Sequence, residues 1–201
     1  SFERELPGKL VTSFAYVGTR TVGGYADLNL NYGEPGGGNA ARKYYSVAGT
    51  TSINDWANRM KTRYHALQIE LNRGFIDGLM LKGAYTWSSA KDMADEDGWT
   101  GLTWNHPMKF ADNFALGGFD RTHNLHLGFL YELQFLKTDT SAKGKILGGW
   151  QFNGVFGAYS GTPYSIGGSN PPLNCQGCGS VLINVTGDPK PIGKVGSGTT
   201  E

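Results

Sequence analysis

Apolar and polar side chains alternate along five segments of the chain, namely residues 10–17, 64–73, 79–88, 124–135 and 150–160. In the clearest, 124–135, leucine and aromatic side chains occupy the odd positions, while most of the even positions are polar or charged. Successive side chains of a strand point to opposite faces, so each segment predicts a β-strand with one apolar face. The segments have about the 9–11 residues that a tilted strand needs to cross the hydrocarbon layer of a membrane.

Aromatic side chains stand at the ends of these apolar faces. Tyr16, Tyr85 and Trp87 share one level, and Phe135 and Trp150 share the other. Membrane barrels place amphipathic rings in this way at the two membrane–water interfaces. Soluble antiparallel sheets also alternate, so these rings favour a membrane barrel more than the alternation does.

The connections between the segments alternate in length. Residues 73–78 and 136–148 are short, whereas 18–63, 89–123 and 161–201 are long. Short turns on one side and long loops on the other are typical of outer-membrane barrels. The sequence therefore predicts an all-β fold: an antiparallel transmembrane β-barrel segment of about five up-and-down strands with long outer loops.

Five antiparallel strands predict an incomplete barrel. An open edge in lipid leaves backbone groups without partners, and the smallest membrane barrels use about 8 strands. We expect the missing strands to come from another part of the protein or from partner chains. The chain opens with Ser1-Phe2-Glu3-Arg4, so we expect its signal peptide to lie outside residues 1–201 as well.

Composition supports the barrel and argues against other classes of protein. Glycine (31 residues), tyrosine (10), phenylalanine (10) and tryptophan (5) are abundant, while the mean hydropathy is negative, at −0.35. A barrel combines one apolar layer with a polar lumen, which keeps its mean hydropathy low. The net charge is +1 and there is no basic tract, so no nucleic-acid partner is expected. No apolar run reaches the roughly 18 residues of a membrane-spanning helix.

Several short motifs follow one another along the chain between residues 4 and 166. They are Leu6-Pro7, Tyr16-Val17-Gly18, residues 64–68 followed by Arg73-Gly74 and Gly78-Leu79, Tyr85-Thr86-Trp87-Ser88, Phe119-Asp120-Arg121-Thr122-His123-Asn124, Gly148-Gly149-Trp150-Gln151 and Ser160-Gly161-Thr162-Pro163-Tyr164. In order and spacing this set resembles the barrel of the Oar-like TonB-dependent outer-membrane receptors. Thr122 separates an arginine and a histidine that adjoin in the family, and Ser89 stands where a lysine is common.

The resemblance implies that residues 1–201 are part of a receptor barrel in the bacterial outer membrane. It implies a plug domain outside this chain, a TonB complex that contacts that plug, and an extracellular ligand of unknown identity. Outer-membrane lipid would surround the barrel. Two alternatives remain open: an energy-independent porin or surface adhesin built on a similar barrel, and a soluble β-sandwich that binds glycans.

Cys175 and Cys178 are the only cysteines and lie in a glycine- and proline-rich loop. Cysteines at this spacing can also serve redox chemistry or form half of a zinc site, but no second pair follows. A small disulfide that staples the loop fits an oxidising compartment better.

No metal site, cofactor or catalytic centre is expected. The acidic run at 92–97 would place Met93 and Trp104 at positions where an EF-hand loop requires acidic ligands. His123 and His126 should point to opposite faces of one strand, which suits no single metal ion. No nucleophile has a credible base nearby, so we predict that the chain is not an enzyme.

Three loop tryptophans are the candidate ligand contacts: Trp56, Trp99 and Trp104. Exposed tryptophans stack on sugars or anchor peptides. Packing of these rings inside their own loops is at least as plausible.

Overall fold

The computed structural model describes residues 1–95, 107–135, 137–138, 140–164, 167–168, 174–178, 181–182 and 186–187. The strands within this part of the chain are β1 (Phe2–Leu6), β2 (Leu10–Asn29), β3 (Asn54–Ile76), β4 (Leu79–Asp92), β5 (Ala115–Leu116), β6 (His123–Glu132), β7 (Gln151–Tyr159), β8 (Gly167–Gly168) and β9 (Val181–Leu182). The helices are α1 (Tyr45–Ala48), α2 (Ala142–Leu147) and two 3₁₀ segments, Asn39–Ala41 and Pro107–Asn113. No helix in the described ranges has the length and apolar character to cross a membrane.

The chain divides into two compact units. The first comprises Ser1–Leu28, Asn54–Leu102 and Lys109–Ser165, and the second comprises Asn29–Ile53, Thr103–Met108 and Ile166–Glu201. The first unit holds an open seven-stranded sheet in the order β1-β2-β3-β4-β6-β7, with β5 paired to β4. Every pairing with a defined register is antiparallel. The predicted all-β architecture of antiparallel strands is confirmed.

The register places the apolar positions of four strands on one face of the sheet. Ile69 of β3 lies opposite Tyr85 of β4, which in turn lies opposite Leu125 of β6. Leu127, which is also on β6, lies opposite Phe156 of β7. We call this surface the outer face; its members are Leu67, Ile69, Leu71, Leu79, Leu81, Tyr85, Trp87, Leu125, Leu127, Phe129, Tyr131, Phe152, Phe156 and Ala158.

The opposite surface, the inner face, carries mainly polar side chains. Gln68 pairs with Thr86 across β3 and β4, and Thr86 pairs with Asn124 of β6. His126 lies on this face and His123 on the outer one, because their β4 partners are Ala84 and Trp87. The two histidines therefore point in opposite directions, as the alternation predicts.

A two-residue turn joins β3 to β4. Asp77 (φ 50°) and Gly78 (φ 79°) both have positive φ, the combination that type I′ hairpin turns require. A side chain at Gly78 would also lie 2.6 Å from the carbonyl oxygen of Glu132. The Arg73 guanidinium donates to the Ile76 and Leu79 carbonyl oxygens at 2.9 and 2.6 Å, and to Gly8 O of the β1–β2 turn at 2.9 Å. One arginine thus fastens two neighbouring turns.

The five predicted strands are present, but their predicted limits were wrong in places. About half of the connection predicted at 18–63 is strand, because β2 continues to Asn29 and β3 begins at Asn54. Residues 18–29 and 54–63 lack the apolar alternation that marks a strand in lipid. They are strand because the backbones of β2 and β3 remain paired. The short strands β1 and β5 were missed for the same reason. β6 ends at Glu132, before the predicted Phe135.

The second unit is organised around a fully buried asparagine, Asn31. Its side-chain amide donates to the carbonyl oxygens of Gly49 at 3.0 Å and Thr51 at 2.7 Å, and its Oδ1 accepts the Tyr44 N–H at 3.0 Å. The Arg42 guanidinium donates to the Asn31 carbonyl oxygen at 3.1 Å. Every side-chain hydrogen-bonding group of Asn31 except one lone pair is therefore used.

Candidate functional site

The outer face exposes large apolar side chains across its width. Trp87, Phe152 and Phe156 are 55%, 53% and 55% exposed. An apolar surface this large is unfavourable in water at roughly 25 cal/mol for each Å². Contiguous exposed apolar surfaces of this kind mark contact with a partner or with a membrane.

A belt of rings crosses β2, β3, β4 and β6 on the outer face, toward the ends of these strands that lie away from the β3–β4 turn. The Tyr16 hydroxyl lies 2.5 Å from His65 Nδ1, with ring centroids 6.0 Å apart. Tyr85 and His123 repeat the arrangement, at 2.7 Å between Oη and Nδ1 and 6.1 Å between centroids. Each ring keeps an apolar body and a hydrogen-bonded polar tip, which suits a membrane–water interface.

Residues 119–124 connect the end of β4 to β6 through hydrogen bonds. Asp120 is 3% exposed, and its carboxylate accepts the Ala90 N–H at 2.7 Å and the Thr122 hydroxyl at 3.3 Å. The Ser88 N–H donates to the Thr122 carbonyl oxygen at 2.9 Å, and the Ser88 hydroxyl donates to the Arg121 carbonyl oxygen at 3.2 Å.

The same motif reaches β7 through Ser160. His123 N–H donates to Ser160 Oγ at 3.1 Å, and Ser160 N–H donates to the His123 carbonyl oxygen at 2.9 Å. The Arg121 guanidinium lies 4.9 Å from the centroid of the Tyr159 ring and donates to the Ser160 carbonyl oxygen at 3.3 Å. We give the name rim cluster to Ser88, Ala90, Asp120, Arg121, Thr122, His123 and Ser160. This cluster joins β4, β6 and β7 near one end of each strand.

Next to the rim cluster, the inner face contains a polar cavity of about 290 Å³. Its described lining residues are Tyr64, Gln68, Thr86, Ser88, Ala90, Phe119, Asp120, Arg121 and Asn124. The Oδ1 atom of Asn124 is buried there without a hydrogen-bond partner in the described part of the chain. An unsatisfied buried acceptor calls for a water or solute donor, so the cavity is suited to polar molecules.

One carboxyl group beyond the membrane-crossing part of β4 has a perturbed pKa. Burial, with a smaller contribution from the charge of Asp95, raises the pKa of Asp92 from its ordinary value of 3.8 to about 6. Asp92 ends β4, four positions beyond the predicted crossing segment 79–88, and is 8% exposed. Its ionised form is therefore disfavoured by its surroundings.

Comparison with known protein families decides what the two faces mean. The outer membrane beta barrel domain matches residues 1–200. The chain belongs to this family. Comparisons with curated proteins and with solved structures return no match.

As a member of this family, the barrel domain resides in the bacterial outer membrane, as predicted. Barrels of this kind expose an apolar band to lipid and enclose a polar interior. The outer face is accordingly the lipid-facing wall, and the inner face lines the lumen. A soluble glycan-binding sandwich does not fit this membership. The short β3–β4 turn marks the periplasmic end and the long 93–122 connection marks the extracellular end.

Of the three predicted ligand-contact tryptophans, Trp56 lies among the described residues. Trp56 lies on β3 and not in a loop as predicted, and is 45% exposed. Trp99 and Trp104 lie outside the described residues. Their role as ligand contacts stays a prediction.

The two cysteines lie in the second unit and are joined by a disulfide, with Cα atoms 5.6 Å apart. Cys175 is fully buried. Neighbouring backbone groups pair with the segment after β2, since Gly33 N–H donates to the Gln176 carbonyl oxygen at 2.8 Å and Gly38 N–H donates to the Asn174 carbonyl oxygen at 3.1 Å. The bridge therefore stabilises a short turn that packs on residues 33–38.

The rim cluster is the feature that reasoning from the sequence missed. Its motif was visible only as a resemblance, because the residues that it joins lie far apart along the chain. The local signal in the sequence is an aspartate, Asp120, that follows Gly117-Gly118 and precedes the alternating segment from 124. In the described ranges no three His, Cys, Asp or Glu side chains are grouped so that they could hold a metal ion.

Proposed function

We propose that this chain forms part of the barrel of a TonB-dependent receptor that binds or takes up a large extracellular substrate. The observation that carries the proposal is the ordered set of motifs from Leu6-Pro7 to Tyr164, which resembles the Oar-like receptors in order and spacing. Membership in the outer membrane beta barrel domain family supports the barrel on which this proposal rests.

The contacts of these motifs are consistent with the proposal. Arg73 fastens two periplasmic turns, and Asp120 fastens the extracellular ends of two strands. In this proposal the wall is passive, and side chains of the lumen and outer loops select the substrate.

The lumen-facing cavity offers hydrogen-bonding side chains to a polar solute next to the wall. Its Asn124 Oδ1 and the Arg121 guanidinium offer an acceptor and donors to a passing solute or to a plug surface. The proposed ligand contacts are Trp56, Trp99 and Trp104. The proposed partners are an energy-transducing TonB complex, reached through a plug domain, and an extracellular ligand.

The test reads the parent gene outward from the codons for Ser1 and Glu201 and then measures TonB binding. The receptor proposal expects an upstream plug domain with a TonB-contact segment. It also expects saturable binding of the purified periplasmic domain of TonB to the full-length protein in detergent, lost when that segment is deleted. A porin or adhesin would lack the plug and bind no TonB, and that pair of results contradicts the proposal.

A further inference from the structure

The outer face changes character in a regular way from the membrane toward the extracellular end. Along β3, its odd positions run from Leu71, Ile69 and Leu67 through His65 to cationic residues, Arg63, Lys61 and Arg59. On β2 the even positions run from Phe14 and Tyr16 to Arg20, and on β4 the odd positions run from Tyr85 and Trp87 to Lys91. Lys91 lies directly opposite Arg63. Three neighbouring strands thus place cations just beyond the ring belt, on the side that faces lipid.

A cavity of about 300 Å³ gathers these cations. Its cationic members are Arg20, Arg59, Lys61 and Arg63. No carboxylate is present among its described lining residues. Asp55 pairs with Arg59, whereas the described ion pairs involve none of the other three cations.

The extracellular connection supplies an apolar wall to this cavity. Phe110, Phe114 and Met93 line it, and the Arg63 guanidinium lies 5.8 Å from the centroid of the Phe114 ring. Stacking of this kind limits the motion of the guanidinium and keeps its donors directed into the cavity. Excess positive charge beside apolar walls favours an anion that carries an apolar part.

A second cavity, of about 510 Å³, lies nearer the membrane. Its outer-face lining includes Tyr16, His65, Leu67, Trp87, Lys91 and Leu116. Arg63 of the first cavity and His65 of the second are consecutive outer-face positions of β3. A cationic cavity therefore stands directly beyond an apolar one on the lipid-facing wall.

We propose that these two cavities form a binding site for an outer-leaflet lipid with a phosphate-bearing headgroup. The phosphate would lie among Arg20, Lys61 and Arg63, and the first carbons of the acyl chains would lie against Leu67, Trp87 and Leu116. Arginine presents paired donors that match phosphate oxygens, and lysine adds a point charge. Clusters of cations next to membrane-spanning segments bind anionic headgroups by the same physics.

The site does not depend on TonB or on the substrate, because it uses only the lipid-facing wall and the rim beside it. A lipid held there would also cover Phe110 and Ala111. It would act as an anchor that fixes the depth of the wall at the extracellular interface.

The experiment measures lipid binding to the full-length parent protein by native mass spectrometry from detergent micelles. The probes are dioleoyl phosphatidic acid, dioleoylglycerol as the same chains without phosphate, and inorganic phosphate. The variant Lys61→Gln/Arg63→Gln removes two cavity cations. The matched control, Lys82→Gln/Lys143→Gln, removes one cation from the inner face and one from α2, and Lys61→Arg/Arg63→Lys keeps the charge.

We expect phosphatidic acid to bind more tightly than dioleoylglycerol. The cavity variant should bind it roughly thirtyfold more weakly, from the usual contribution of two interfacial cations, while the control and charge-retaining variants bind like the native protein. Heat-modifiable migration in gels verifies that each variant is folded.

Three results would overturn the proposal. They are equal binding of the two lipids, equal losses in the cavity variant and its control, and displacement of phosphatidic acid by inorganic phosphate at the concentration of the lipid. The last result would indicate a site for a free anion.

Discussion

A charge placed at the centre of the outer face should be costly, whereas the same charge one residue away should not. Ile69 lies between Leu67 and Leu71 on β3 and opposite Tyr85. Ile69 is four residues from His65 of the ring belt. This separation is about 13 Å along the strand, and about 9 Å in depth along the membrane normal for a strand tilted by about 45°. In a hydrocarbon layer about 25–30 Å thick, Ile69 is therefore close to the midplane.

The substitution Ile69→Arg should lower the free energy of unfolding by about 2–4 kcal/mol, the cost of arginine on a lipid-facing wall near the midplane. Gln68→Arg is the matched control, since Gln68 pairs with Thr86 on the inner face and lines the polar cavity. It should change the free energy by roughly 0.5 kcal/mol or less, as is usual for polar surface positions. Leu67→Arg, nearer the belt, should give an intermediate loss.

The assay is guanidinium-induced unfolding of the full-length protein in vesicles of dilauroylphosphatidylcholine, followed by tryptophan fluorescence. Refolding from high denaturant must retrace the unfolding curve for the comparison to hold. Equal losses for Ile69→Arg and Gln68→Arg, or a larger loss for Gln68→Arg, would refute the assignment of the two faces.

The remaining predictions concern the fastened strand ends, one perturbed carboxyl group and the loop disulfide. Asp120→Ala leaves the buried N–H of Ala90 without its acceptor and should cost about 1–3 kcal/mol in the same titration; a neutral result would contradict the role of the rim cluster. Arg73→Met removes charged donors from three carbonyl oxygens and should cost about 1.5–3 kcal/mol, which Arg73→Lys should restore only in part. Ionisation of Asp92 opposes folding, because the pKa of this carboxyl group is about 6 in the folded protein and 3.8 ordinarily. Asp92→Asn should therefore stabilise the protein above about pH 6 and have no effect below pH 3.8. Equal stabilisation at both ends of this pH range would contradict the raised pKa. Thiol titration of the unfolded, unreduced parent should detect no free thiol from the cysteine pair, and two reactive thiols would contradict the disulfide.

The strands were predictable wherever one face meets lipid. Leu125, Leu127 and Phe129 alternate with polar residues because the bilayer imposes opposite solvents on the two faces of β6. Where β2 and β3 extend beyond the membrane, both faces meet water and no solvent pattern remains. Residues 18–29 were therefore predicted as a loop although they form strand.

The sites were less predictable than the strands because they depend on contacts between distant residues. Asp120 meets Ala90 across 30 positions of sequence, and Asn31 meets Thr51 across 20 positions. A single sequence carries the residue types but not these distances. Only the cysteine pair, with its separation of three positions, had a local signal strong enough to predict.

The central claim is that one face of this sheet contacts lipid while the other lines a lumen, and spin-label accessibility along β6 tests it most directly. Single cysteines would replace, one at a time, the residues from Asn124 to Tyr131 in the full-length parent, in a background with serine at the two native cysteines. Frequent collisions of the spin label with oxygen indicate that the residue faces lipid, and frequent collisions with a water-soluble nickel chelate indicate that it faces water. Oxygen access should peak at Leu125, Leu127 and Phe129, and nickel access should peak at the positions between them. Uniform accessibility, or peaks at the opposite positions, would contradict the assignment of the two faces.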